Sequence, residues 1–195
     1  MEASIPNYPE IQINPDYLKD GALKLIALIQ PDWHTKDNLK KLNFKIFTDG
    51  ITNRLIGVYK DRVEDMILFR VYGEKTDLFI DRTLEYRNMR TMYKAGLSAP
   101  IYCTFLNGIS YGFTPGKVLD ERIVRDEQIS ILIAENMARM HTLKPKVTKS
   151  SNCLKDSYYS EDPQPCIFTG LNKFLSLTEM NGFSVKNSKK LVSNK

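Results

Sequence analysis

Arg70 interrupts the apolar run Met66-Ile-Leu-Phe-Arg-Val-Tyr72. A guanidinium in such a strand needs an anion beside it, because an unpaired charge taken out of water is strongly disfavoured. Glu85 is the candidate partner. On a helical spacing it shares a face with Met89 and Met92, at i+4 and i+7, so it points toward apolar contacts rather than solvent. An Arg70–Glu85 pair would hold the guanidinium fork ready for phosphate oxygens. Upstream, the loop Thr48-Asp-Gly-Ile-Thr-Asn53 offers a glycine for close backbone approach and two small polar side chains, Thr52 and Asn53. An ordinary hairpin turn explains Asp49-Gly50 equally well. An edge-strand arginine facing water is the competing reading of Arg70, since Ile67, Phe69 and Val71 share the opposite face. His141 reads as a polar residue at a helix end, and Trp33 and the methionines read as packing residues.

The elements that position these groups follow from periodicity and caps. Asn14-Pro15 suggests a capped helix start, with Leu18, Leu25, Ile26 and Ile29 as its apolar face and Pro31 as its stop. Leu42, Phe44 and Ile46 alternate as in a half-buried strand, and a second strand covers about 54–59. The Arg70 strand is third, followed by a turn at Gly73-Glu-Lys-Thr. Asp81 or Thr83 then caps a helix reaching about Lys94 and closed by Gly96. Strands at 101–105 and 109–113 flank Asn107-Gly108, a strong hairpin signal. Thr114-Pro-Gly116 reads as a hinge, and Ile129, Leu132, Ile133, Met137 and Met140 mark a helix ending at His141. Residues 144–170 read as a long loop, and Leu171–Leu177 as the start of another helix.

The resulting class is α+β: a small lobe of five antiparallel strands and one helix (41–113), preceded by a helical extension (1–40). A hinge and mostly helical segment (114–195) follows. The length suits one domain or one lobe plus part of another. No stretch approaches the ~20 apolar residues of a membrane span, and the N-terminus lacks a basic region followed by an apolar core. Cys103, Cys153 and Cys166 have no metal-type spacing, which points to free thiols in a reducing, cytoplasmic setting. Four of the five excess positive charges are lysines in residues 186–195, a segment without acids. The basicity therefore belongs to a solvated tail, and nucleic acid is not an expected partner.

These residues also carry a resemblance. Phe47-Thr-Asp-Gly-Ile-Thr-Asn-Arg-Leu-Ile-Gly57 resembles the nucleotide loop of ethanolamine kinases, whose usual form is Gly-Gly-Ile-Thr-Asn followed by Lys-Leu. Leu68-Phe-Arg-Val-Tyr-Gly73 is similar to their Val-Arg-Ile-Tyr-Gly strand. Ile80-Asp-Arg82, Glu85 and Ala99-Pro-Ile-Tyr-Cys-Thr-Phe105 continue the match without gaps, and Ala138-Arg-Met-His141 resembles the helix that ends in His across the family. Choline kinases share the frame but typically have Met-Ser-Asn in the loop, so Ile51-Thr52-Asn53 favours ethanolamine.

The resemblance implies a protein-kinase-like small lobe, with ATP as phosphoryl donor, Mg2+ as cofactor and ethanolamine (or choline) as acceptor. Gly50, Ile51, Thr52 and Asn53 would close over the phosphates. Arg70 would contact them, Glu85 would orient Arg70, and Gly112, Phe113 and Thr114 would lie along the adenine. Asp49 stands where the family usually has its first glycine, which puts a negative charge near the phosphates. The family's catalytic His-Asn-Asp loop and its metal-binding Asp segment are expected after position 195, so no catalytic or metal residue is assigned within the chain. By itself it is expected to be inactive, the truncated N-terminal part of such an enzyme. The rival from another class is a non-catalytic, kinase-derived binding module.

Overall fold

A computed structural model describes residues 5–48, 53–78, 80–143 and 166–180. The chain divides into two compact units, residues 1–144 and 145–195. Within the sequence we propose further limits at 40/41 and 113/114.

The first unit is built on a six-stranded sheet: β1 (Asn7–Tyr8), β2 (Asn43–Phe47), β3 (Arg54–Tyr59), β4 (Ile67–Val71), β5 (Ile101–Phe105) and β6 (Gly108–Gly112). The spatial order is β1-β5-β6-β4-β3-β2. Five strands pair antiparallel, as expected. The sheet is nevertheless mixed, because β1 pairs parallel with β5. A two-residue strand has no alternation to read, and its pairing is closed by Thr104 N–H donating to Pro6 C=O at 3.0 Å.

Five α-helices lie among the described residues, besides four short 3-10 helices: α1 (Leu18–Ile29), α2 (Lys36–Leu39), α3 (Arg82–Lys94), α4 (Glu127–His141) and α5 (Cys166–Met180). α1 begins later than Asn14-Pro15 suggests. The Asn14 side chain accepts from Asp16 N–H at 2.9 Å, making a local turn, and the helix starts after Tyr17 with no side-chain cap. The core dictates this start. Leu18, Ala22, Leu25 and Ile26 are buried against one sheet face, together with Ile13, Ile56, Val58, Ile67, Phe69, Val71, Cys103 and Phe105. The N-terminal segment is therefore part of the core of the sheet.

α3 and α4 start on the acids that cap them. Asp81 accepts from Leu84 N–H at 2.9 Å, and Asp126 accepts from Gln128 and Ile129 N–H. Gly96, at φ +70°, closes α3 while Leu97 N–H reaches back to Met92 C=O. α5, described by itself, begins at Cys166, so the stretch read as loop to residue 170 ends earlier; residues 144–165 lie outside the described chain. Ile167, Phe168, Leu171, Phe174 and Leu175 in α5 are exposed. Among the described residues no helix is long and apolar enough to cross a membrane.

The β5–β6 hairpin forms for a different reason than its Asn-Gly signal suggests. Phe105 pairs with Gly108, so Leu106 and Asn107 make the turn, and neither has positive φ. Asn107 instead uses its amide to tie the N-terminal segment down. Its Oδ1 accepts from Ile13 N–H at 3.0 Å, and its Nδ2 donates to Ile13 C=O at 2.8 Å. Gly108 is required by space, because a Cβ there would run into the Arg70 carbonyl and the tip of the Phe105 ring.

Two measurements check this packing. Gly108→Ala should destabilise the chain by about 1–3 kcal/mol in urea unfolding, as overpacking against backbone does. Gly116→Ala, with nothing within 4 Å of the added methyl, should be neutral. Burial pushes the Cys103 thiol up to about 12. Peptide mapping after alkylation at pH 8 should find Cys103 unmodified in the folded chain and fully modified in denaturant.

Candidate functional site

The sheet has two unlike faces. Ile56, Val58, Ile67, Phe69 and Val71 lie on the face sealed by α1. Cross-strand register places Leu55, Arg70 and Ile109 side by side on the other, with Gly57, Leu68 and Tyr111 as the next row. Arg70 is therefore a central-strand residue between β3 and β6, and the edge-strand reading does not hold.

α3 brings Glu85 to this face. Arg70 Nη2 donates to Glu85 Oε1 at 2.7 Å, so the expected pair is present. The side chains are 21% and 24% exposed, which makes the pair half-buried rather than a surface bridge. A second cation that sequence reasoning did not assign holds the other oxygen: Arg82 Nη1 donates to Glu85 Oε2 at 2.9 Å. Arg82 is itself only 20% exposed. It also donates to the Thr76 hydroxyl, and its guanidinium stacks on Tyr72 at 3.7 Å from the ring centre. The signal available in the sequence was the i,i+3 spacing of Arg82 and Glu85 on one helix.

Tyr72 and Tyr111 complete the surroundings, with Arg70 lying 5.6 and 5.9 Å from their ring centres. Burial raises the pKa of both phenols. Glu85 adds to the rise, and Arg70 works against it at both. The Arg70 Nε lies buried without a hydrogen-bond partner among the described residues.

The other expected site residues fall around this centre to different degrees. Gly50, Ile51 and Thr52 lie outside the described residues, as does Asp49. Asn53, at the foot of the loop, has a buried Oδ1 with no hydrogen-bond partner among the described residues. Gly112 N–H donates to Pro100 C=O at 2.8 Å and Phe113 N–H to Met66 C=O at 2.9 Å. Both amides are thus engaged within the protein; Gly112 is buried, Phe113 half-buried and Thr114 exposed. Among the described residues no group of three or more His, Cys, Asp or Glu could hold a metal, and Glu85 is occupied by two arginines. The arrangement can recognise a polyanion beside an apolar face.

Residues 44–194 match the family model for choline/ethanolamine kinase. The chain is 38% identical to mouse ethanolamine kinase 1 over 164 residues, covering 81% of the chain and 44% of that protein. It is also 38% identical to human ethanolamine kinase 2 over 137 residues, covering 70% and 34%. The chain thus spans less than half the length of these curated relatives. Among solved structures, a Plasmodium vivax ethanolamine kinase superimposes with a TM-score of 0.68 at 24% identity. That match covers 88% of this chain and 46% of that one. The kinase-like fold of the first unit agrees with that likeness.

Two outcomes are expected from this geometry. Glu85→Ala removes the shared carboxylate and strands two half-buried guanidinium groups, so chemical unfolding should show a loss of about 1–3 kcal/mol. Tyr72 and Tyr111 have folded pKa values above the ordinary 10.0. Their contribution to stability is therefore complete below pH 10 and lost as pH rises through the folded values. Urea midpoints should fall above pH 10, and the double variant Tyr72→Phe, Tyr111→Phe should flatten that fall.

Proposed function

The chain belongs to the choline/ethanolamine kinase family, and on that premise we propose that it forms the nucleotide-handling part of an ATP-dependent ethanolamine kinase. The observation that carries the reading is the half-buried Arg70–Glu85 pair on the face of the sheet away from α1. In this reading Arg70 grips phosphate oxygens of ATP. Loop residues Gly50 to Asn53 cover the phosphates, and Gly112 to Thr114 run beside the adenine. A guanidinium suits this task because its planar fork binds two oxygens at once, whereas an ammonium is a point charge.

In the complete protein the acceptor hydroxyl would attack the γ-phosphate, giving phosphoethanolamine and ADP in the cytoplasm. That product would enter the CDP-ethanolamine route to phosphatidylethanolamine. Ile51-Thr52-Asn53 and the ethanolamine kinases among its relatives favour ethanolamine over choline as acceptor. Mg2+, when bound, neutralises charge on the β- and γ-phosphates, and its ligands are expected outside these 195 residues. The activating Asp of the family's His-Asn-Asp loop is likewise not within them. What the chain's own residues supply is binding, orientation and charge complementarity. We therefore expect nucleotide binding without turnover from the 195 residues alone.

Titration with a fluorescent ATP analogue tests the reading. The chain should bind ATP, and Arg70→Lys should weaken binding about tenfold, equivalent to about 1.4 kcal/mol. Adenosine binding and the unfolding midpoint should stay unchanged. A coupled assay should show no ethanolamine-dependent ATP consumption. Absence of ATP binding, or turnover that persists through repurification, would overturn it.

A further inference from the structure

Glu85 is shared by two guanidinium groups, and that sharing has an electrostatic consequence. A single Arg–Glu pair is neutral. The half-buried trio Arg70, Glu85 and Arg82 carries two positive charges against one negative. Among the described residues, Glu85 is the one carboxylate within 4 Å of either guanidinium. Glu74 and Asp77, the other acids on the turn leading to α3, are exposed, and the Asp81 carboxylate is engaged by Leu84 N–H as the cap of α3.

Geometry assigns the two arginines different tasks. Arg82 is anchored on three sides, by Glu85 Oε2, the Thr76 hydroxyl and the face of Tyr72. Arg70 makes a single bond to the carboxylate, Nη2 to Glu85 Oε1, and lies farther from its rings, 5.6 Å from Tyr72 and 5.9 Å from Tyr111; its Nε has no hydrogen-bond partner among the described residues. A carboxylate with both oxygens free would take Arg70 by two parallel bonds, the geometry such pairs prefer, and would draw its fork onto α3. With Oε2 turned to Arg82, Arg70 makes one bond, to Oε1.

We infer that Arg82 is a positioning residue: it occupies one oxygen of Glu85 so that Arg70 stays singly bonded, net positive and able to accept a polyphosphate. The inference rests on the nucleotide reading above and deepens it, since it gives that site a second cation that does not touch the ligand. It also makes Arg70 and Arg82 alternate neutralisers of one half-buried carboxylate. Removing either leaves Glu85 with a cation, whereas removing both leaves it with none.

The test has two arms on the full chain. In thermal unfolding, Arg70→Met and Arg82→Met should each lower Tm modestly. The double variant should lose more than the sum of the single losses, the non-additivity expected of two cations that share one carboxylate. In ATP titration, Arg82→Met should weaken binding about tenfold and leave adenosine binding unchanged, and Arg82→Lys should restore part of the loss. Additive Tm losses overturn the inference, and so does a chain that binds ATP but is indifferent to Arg82→Met. An unsubstituted chain that binds no ATP overturns the nucleotide reading itself, and the Tm arm then still decides whether the carboxylate is shared.

Discussion

The site depends on one carboxylate. α3 contains no fully buried residue, so a sealed apolar face does not fix it to the sheet in the way that Leu18, Ala22, Leu25 and Ile26 fix α1. Glu85 supplies a different attachment, a charge-assisted bond from the central strand to one oxygen and an intrahelical arginine on the other. At roughly a fifth to a quarter exposure the three groups are dry enough for the bonds to be strong and wet enough for a net charge to be tolerated. A fully buried trio would carry a heavy desolvation cost, and a fully exposed one would be screened to little effect.

Which parts of this were legible in the sequence follows from the kind of signal each part leaves. Arg70 and Glu85 could be paired because each breaks a pattern, a charge within an apolar strand and a carboxylate on the methionine side of a helix. The caps at Asp81 and Gly96 were readable because acids at the first turn and positive φ after the last turn are local requirements. Tertiary choices left no such mark. The parallel strand Asn7–Tyr8 is too short to alternate, and the start of α1 is set by burial of Leu18 rather than by Asn14. Asn107 marks a hairpin correctly, yet its amide serves the Ile13 backbone across 94 residues of sequence rather than the turn itself. Arg82 was visible as part of Ile80-Asp-Arg82, but its role needed the fold of the turn that brings Thr76 and Tyr72 against it.

The two faces of the sheet show how one short lobe meets opposed demands. On one, Ile13 and α1 exclude water from a continuous apolar cluster, and Asn107 stitches the entering chain to the hairpin so that the seal closes. On the other, apolar Leu55, Leu68 and Ile109 alternate with the half-buried Arg70 and Tyr111, and the helix that supplies Glu85 has half-buried rather than fully buried side chains. The first face provides rigidity. The second leaves room for a ligand with an apolar part and a charged part.

That division explains why the cation sits on β4 rather than on a loop. Flanked by β3 and β6, its backbone is fixed by hydrogen bonds on both sides, and the sealed face beneath supports Phe69 and Val71 on either side of it. Only the side chain of Arg70 then has freedom, and Glu85 removes part of it. A polyphosphate arriving at such a site meets a donor whose backbone requires no ordering, so little of the binding free energy is lost to reorganisation. Arg82, Tyr72 and Thr76 carry the same logic one step outward: they restrain the group that restrains Arg70. The sharing of one carboxylate between two arginines thus leaves an excess charge in a fixed place, on a strand that cannot move to relieve it.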